Sequence, residues 1–145
     1  MNTFKLLGFT LIELLVSMAI FMLLLNIAYL GFNQYLIKVR RTEATHALLE
    51  LAIAQQKYYR QHHHYSPKLS GKDSLGLASD VSKKGYYQLS SQIKRVTIDG
   101  YDGFIISAKA MGSQANDNDC KRFTLDHTLK KQAFNAADKV NNDCW

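Results

Sequence analysis

The sequence predicts an α+β fold: one long N-terminal helix, apolar in its first half, packed against a small antiparallel sheet of about four strands. Three observations carry this. No charged residue occurs from Leu14 to Ile37, and the run is dense in Leu, Ile, Met and Phe. Beyond it, apolar residues recur at spacings of three and four, with no glycine or proline between Phe32 and Tyr65. After Gly85 come short runs of β-branched and aromatic residues punctuated by Asp-Gly dipeptides.

A chain of 145 residues holds one small domain beside such an apolar arm. The formal charge is +6, and Lys5 and Glu13 cancel within the first 37 residues, so the whole excess lies from Lys38 onward. A basic domain suits nucleic acid, anionic surfaces or acidic partner subunits, or is simply a solvated surface. One proline, Pro67, and scattered glycines argue against a disordered linker. Cys120 and Cys144 are the two cysteines. In a secreted domain they read as a disulfide and in the cytosol as a reduced pair, so the choice turns on whether the chain crosses a membrane.

Residues 1–8 read as a short leader with one basic residue, Lys5. An ordinary secretory signal places its apolar core before the cleavage site. Here Gly8 comes first and the apolar run follows, so cleavage after Gly8 leaves the span attached. Residues 9–37 exceed the roughly 20 needed to cross a bilayer as a helix. Ser17, Asn26 and Gly31 are tolerable within it. Lys38, Arg40 and Arg41 beyond its far end pull that side towards the cytoplasm against a lone Lys5, so charge leaves the orientation open. Glu13 is costly at bilayer depth unless paired or functional. Cleavage at Gly8 would create an α-amino group on Phe9, one helical turn before it.

Gly8-Phe9-Thr10-Leu11-Ile12-Glu13-Leu14 resembles the class III signal of type IV pilins and of type II secretion pseudopilins. The resemblance implies that a prepilin peptidase cuts after Gly8, that Phe9 becomes the methylated terminus, and that Glu13 is the carboxylate needed for filament assembly. It also implies that the domain from Lys38 onward lies outside the cytoplasm of a Gram-negative cell, first as a single-pass inner-membrane protein and then in an extracellular pilus. The implied partners are other pilin subunits, the prepilin peptidase and an inner-membrane assembly platform.

The helix continues past the span. Leu36, Ile37, Val39, Ala44, Ala47, Leu48, Leu51, Ala52 and Gln55 form its predicted apolar stripe, and the economical reading is one helix from about Phe9 to about His62. The stretch from Ala28 to Tyr35, followed by Arg40-Arg41-Thr42-Glu43-Ala44, resembles PilE-type minor pilins. Many relatives carry a proline where Leu30 stands, and Gly31 is a weaker source of a kink. Tyr58-Tyr59-Arg60-Gln61 and Tyr65-Ser66-Pro67 resemble the same group, in which tyrosines close the helix and a loop follows. Residues 68–85 read as loop. Tyr87, Leu89 and Ile93 mark a first strand, extending through Val96 and Ile98. Asp99-Gly100 and Asp102-Gly103 read as turns, then Phe104–Ala108, Arg122–Leu125 and Gln132–Phe134 as further strands. The closing Asp143-Cys144-Trp145 resembles the Cys-Trp terminus of these minor pilins. That implies a Cys120–Cys144 disulfide enclosing the family's variable D-region, a bond worth typically about 2–4 kcal/mol.

No motif for nucleophilic catalysis, phosphate cradling or dinucleotide binding is present, so the chain reads as a non-enzyme with no cofactor. His46 and His127 lack a catalytic partner pattern. His62-His63-His64 lack the spacing of zinc ligands and read as a solvated helix end. Asn116, Asp117, Asn118 and Asp119 lack the calcium-loop spacing and read as a solvated turn. The expected function is a minor type IV pilin, built into pili or priming them, with roles such as adhesion, twitching motility and DNA uptake. The alternatives are a DNA-binding competence pilin and a type II secretion pseudopilin. For DNA, the candidate phosphate contacts are Lys121, Arg122, Lys130, Lys131 and Lys139, with Lys83, Lys84, Lys94 and Arg95 earlier in the chain.

Overall fold

The computed structural model describes residues 9–95 and 102–145. The leader with Gly8, and Val96, Ile98 and Asp99-Gly100, lie outside the described residues. The chain divides into two compact units after Leu36. Helix α1, Leu11–His62, supplies the first unit and opens the second.

In the first unit, Thr10 is the residue before the helix and Glu13 its third residue, the T-x-x-E arrangement of a capping box. Glu13 Oε2 accepts from the Thr10 amide at 3.0 Å and its hydroxyl at 2.9 Å, and the Glu13 amide donates to Thr10 Oγ1 at 3.4 Å. Ser17 and Asn26 turn their polar groups onto the helix's own carbonyls, Leu14 at 2.9 Å and Met22 at 2.8 Å. Each thereby satisfies one polar hydrogen within its own helix, which lowers its cost in an apolar surround. The backbone stays helical through Leu30 and Gly31.

In the second unit a four-stranded antiparallel meander has the order β1-β2-β3-β4: Tyr87–Arg95, Asp102–Ala110, Arg122–Asp126 and Lys131–Phe134. Alternation assigns its faces. Tyr87, Leu89, Phe104, Ile106, Ala108, Phe123, Leu125 and Ala133 are buried with Ala44, Leu48, Leu51 and Ala52 of α1 in one core. The inward helix stripe thus runs from half-buried Arg41 through buried Ala44, Leu48, Leu51, Gln55 and Tyr58, and Val39, expected in it, is exposed. Val39 and Arg41 are two residues apart and so about 200° apart around the helix, which puts one outside where the other faces in.

Gln55 is fully buried and acts as a polar staple. Its Nε2 donates to the Ser66 carbonyl at 2.5 Å and to Ser91 Oγ at 2.8 Å, while its Oε1 accepts from the Ser66 amide at 3.1 Å. The loop after α1 is thereby fixed to β1. Gly85, at φ +79, closes the turn before β1 with its amide on the Ser82 carbonyl.

Asp102-Gly103 is not a turn; it begins β2, with Lys94 opposite Gly103 and Arg95 opposite Asp102. The glycine has a packing reason. A Cβ there would come within 2.6 Å of the His127 ring, which lies over the bare backbone.

Candidate nucleic-acid interface

Arg41 enters the domain on the buried side of α1, where an unpaired charge would be costly. Asp117 meets it in a bidentate pair, Nε–Oδ2 at 2.8 Å and Nη2–Oδ1 at 2.9 Å, and Asp119 lies 3.8 Å from Nη2. Asp117 is 3% exposed and also accepts from Gln114 Nε2 and the Cys120 amide, both at 3.1 Å. The reading of this run as a solvated turn holds for Asp119, whose side chain is 81% exposed, and fails for Asp117. A half-buried arginine is met by a carboxylate from 76 residues away. The Asp117 hydrogen bond holds the Arg41 guanidinium in its charged form still more firmly than usual, against a smaller opposing effect of burial. Burial, then the nearby Asp117 carboxylate, pushes the Tyr87 phenol well above the ordinary tyrosine range.

Cys120 and Cys144 are bonded and both buried, so the chain's end is tied to the start of β3. Trp145 follows the bond and packs edge-on against Phe123, ring centres 5.9 Å apart.

The basic candidates do not form one patch. Strand direction divides them between two ends of the sheet. Lys83 and Lys84 precede β1, Lys121 and Arg122 open β3, and Lys139 follows β4, all at the disulfide end. Lys94 and Arg95 close β1, and Lys130 and Lys131 stand where β4 begins, at the opposite end.

The disulfide-end cations are largely engaged. Lys83 pairs with Glu50 at 2.6 Å, and Lys121 donates to the Ala115 carbonyl. Arg122 pairs with Asp138 while lying over the Phe134 ring at 4.1 Å. Lys84 is held to Glu43 Oε1 by its backbone amide at 2.8 Å, and its side chain is exposed. At the opposite end, Lys94 and Lys130 are exposed and make no ion pair among the described residues. Lys131 is exposed too, its ammonium 5.4 Å from the centre of the Trp145 ring. Lys139 is exposed at the far side of the disulfide region.

An aromatic chain lines that opposite end. Tyr59 stacks on Tyr65 at 4.6 Å, Tyr65 meets Phe104 edge-on at 4.9 Å, and Phe104 meets His127 at 6.5 Å. His62, His63 and His64 are exposed where α1 stops, with His63 in the left-handed region at φ 59. The β3–β4 turn is organised by Asp126, whose Oδ1 accepts from Thr128 Oγ1 at 2.6 Å, the Thr128 amide at 2.8 Å and the Lys130 amide at 3.0 Å. Burial alone would raise the Asp126 pKa; these hydrogen bonds outweigh it and leave the carboxyl below its ordinary value.

Comparison with known proteins gives the context for this arrangement. Residues 31–124 match the family model described as type IV minor pilin ComP, DNA uptake sequence receptor. Residues 7–29 match the prokaryotic N-terminal methylation motif. A solved type IV pilin from Shewanella oneidensis is 24% identical over 66% of this chain and 89% of its own, with a TM-score of 0.45. No match is found among curated proteins. The family match spans well over half of the chain and the methylation motif covers the head of its apolar helix, so the chain belongs to the ComP family of type IV minor pilins.

Proposed function

We propose that this minor pilin is a DNA receptor of the competence type, cut after Gly8, N-methylated on Phe9 and carried with its basic unit on the periplasmic side before entering the pilus. The prepilin peptidase and an inner-membrane assembly platform are its processing and assembly partners, and Glu13 is its assembly carboxylate. The observation that carries the receptor reading is the agreement between the matched family's description and a charge distribution that leaves Lys94, Lys130, Lys131 and Lys139 exposed on the globular unit. Arg122, Lys121 and Lys83 already serve intramolecular interactions, so they contribute less than their number suggests.

Binding to duplex DNA is measured with the full-length chain in a non-ionic detergent at a series of salt concentrations. The log of affinity should fall linearly with log salt, and Lys130→Ala with Lys131→Ala should flatten the slope by about 0.9 for each phosphate partner removed. An unchanged slope removes this pair from the site, and absence of binding at low salt rejects the receptor. Mass spectrometry of sheared filaments tests the processing: the expected N-terminus is methylated Phe9, and an intact leader contradicts it.

A further inference from the structure

The run His62-His63-His64 sits at the end of the globular unit that holds Lys94 and Lys130, and its chemistry differs from theirs in one respect. Lysine is charged at every physiological pH, whereas histidine side chains gain or lose their charge between about pH 5 and 8.

The local geometry presents the rings without spending them on the core. His62 stacks on Tyr58 at 4.2 Å, His64 meets the same tyrosine edge-on at 5.5 Å, and the two imidazoles are 6.0 Å apart. His64 Nδ1 lies 2.8 Å from the His62 carbonyl oxygen. A carbonyl can only accept, so Nδ1 carries the hydrogen and Nε2 of the neutral ring is bare. Protonation therefore adds a donor and a positive charge at Nε2, on an exposed side chain.

Of the charged and titratable groups facing this end, helix α1 contributes Lys57 and Arg60, the following loop Lys68, β1 Lys94 and Arg95, β2 Asp102, the β3–β4 turn Asp126, His127 and Lys130, and β4 Lys131. Of the two acids, Asp126 is already committed to the hydrogen bonds of its own turn. His127 lies against Gly103 and Phe104.

We propose that His62, His63 and His64 form, with Lys94 and Lys130, a phosphate-backbone surface whose affinity for nucleic acid rises as the histidines take up protons. This rests on the DNA-receptor reading above and adds where on the unit the backbone is held and what regulates it. Neutral, the three rings are polar neighbours of the two lysines. Protonated, they add up to three cations to those already at this end, each able to displace a counterion from a phosphate.

The test is duplex-DNA binding by the full-length chain in non-ionic detergent at pH 8.0 and pH 5.5, over a salt series. Affinity should rise at least about tenfold on acidification, and the log–log salt slope should steepen by about 0.9 for each histidine that pairs with a phosphate. Changing all three to Asn, which tolerates the left-handed position of His63, should remove most of the rise on acidification. In a second variant, His62→Arg with His64→Arg should give strong binding at pH 8.0, a gain that a misfolded chain cannot show. Binding that is equal at the two pH values, or a rise that survives the triple Asn change, overturns this proposal and leaves the receptor reading standing. No binding at either pH rejects both.

Discussion

The first unit and the second bury their apolar residues in different ways. From Phe9 to Tyr35 every side chain whose exposure is described is exposed, the large apolar ones included. From Ala44 to Tyr58 the same helix places a stripe in a closed core with both faces of its chemistry accounted for, Arg41 by Asp117 and Gln55 by Ser66 and Ser91. Each exposed Leu, Ile or Phe forgoes about 1.5–3 kcal/mol of burial. The second unit therefore encodes its own structure, while the first encodes a surrounding: lipid before assembly, neighbouring pilins after it. The two carboxylates that matter most divide in the same way. Asp117 has its cation within the chain, whereas among the described residues Glu13 has the donors of Thr10 and no cation.

The largest expected effect tests that division at Glu13. Glu13→Ala should leave membrane insertion and leader removal intact and cut the protein's share of sheared filaments more than about tenfold, because a subunit terminus entering an apolar filament needs a neighbour's carboxylate. Glu13→Gln should do nearly as much harm, since shape is kept and charge lost. The capping box supplies a control. Thr10→Ala loosens the first turn by about 1 kcal/mol yet keeps the carboxylate, so filament entry should persist. Equal loss in Thr10→Ala would make Glu13 a helix cap and no more. Immunoblots of sheared and membrane fractions read all three variants.

Next in size is Arg41. Replacing it by Ala leaves Asp117 buried with two neutral donors and no cation, and should destabilise the second unit by about 3–5 kcal/mol. Denaturant unfolding followed by tryptophan fluorescence is a suitable measure, because Trp145 is the single tryptophan. A change below about 1 kcal/mol would mean that the pair only breaks even. The disulfide should follow. Reduction, or Cys120→Ser with Cys144→Ser, is expected to cost about 2–4 kcal/mol by the same measurement, with no effect on the first unit's membrane association.

The two units were also unequally legible. The apolar run and the periodic stripe located α1 to within two residues at its start, and four strands emerged where β-branched and aromatic residues cluster. Strand ends moved by one or two residues because side-chain type says little about where a ladder stops. What the sequence hid was pairing over distance. Arg41 lies in a basic run that reads as a membrane flank, and only the three-dimensional path of the chain brings Asp117 to it. A charged residue in register with Ala44, Leu48 and Gln55 was the available signal. Thr10-x-x-Glu13 carries the pattern of a capping box, but in an apolar span the cost of the carboxylate is the louder feature and masks its local role. The split of the basic residues into two ends follows from strand direction, which composition does not carry.

The smallest effect concerns Asp126, the globular counterpart of Glu13. Each carboxylate captures a nearby threonine hydroxyl and a backbone amide. Asp126 does so within a turn of the folded unit, so its contribution should appear in that unit's own stability and nowhere in assembly. Its folded-state pKa is depressed, with hydrogen bonds from Thr128 and Lys130 overcoming the opposing effect of burial. A depressed carboxyl pKa stabilises the fold above the unfolded value, near 3.9, and that contribution disappears as pH falls through the folded value. Solvent screening of this partly exposed group keeps the effect at about 1 kcal/mol or less. Asp126→Asn should therefore lower stability slightly at pH 7, by a margin that shrinks as pH falls and the wild-type carboxyl takes up its proton. Denaturant midpoints of the two proteins at pH 7 and pH 2 measure the difference. A gap that persists unchanged at pH 2 would show that the amide disturbs the turn by shape, and that the charge of Asp126 contributes nothing to the fold.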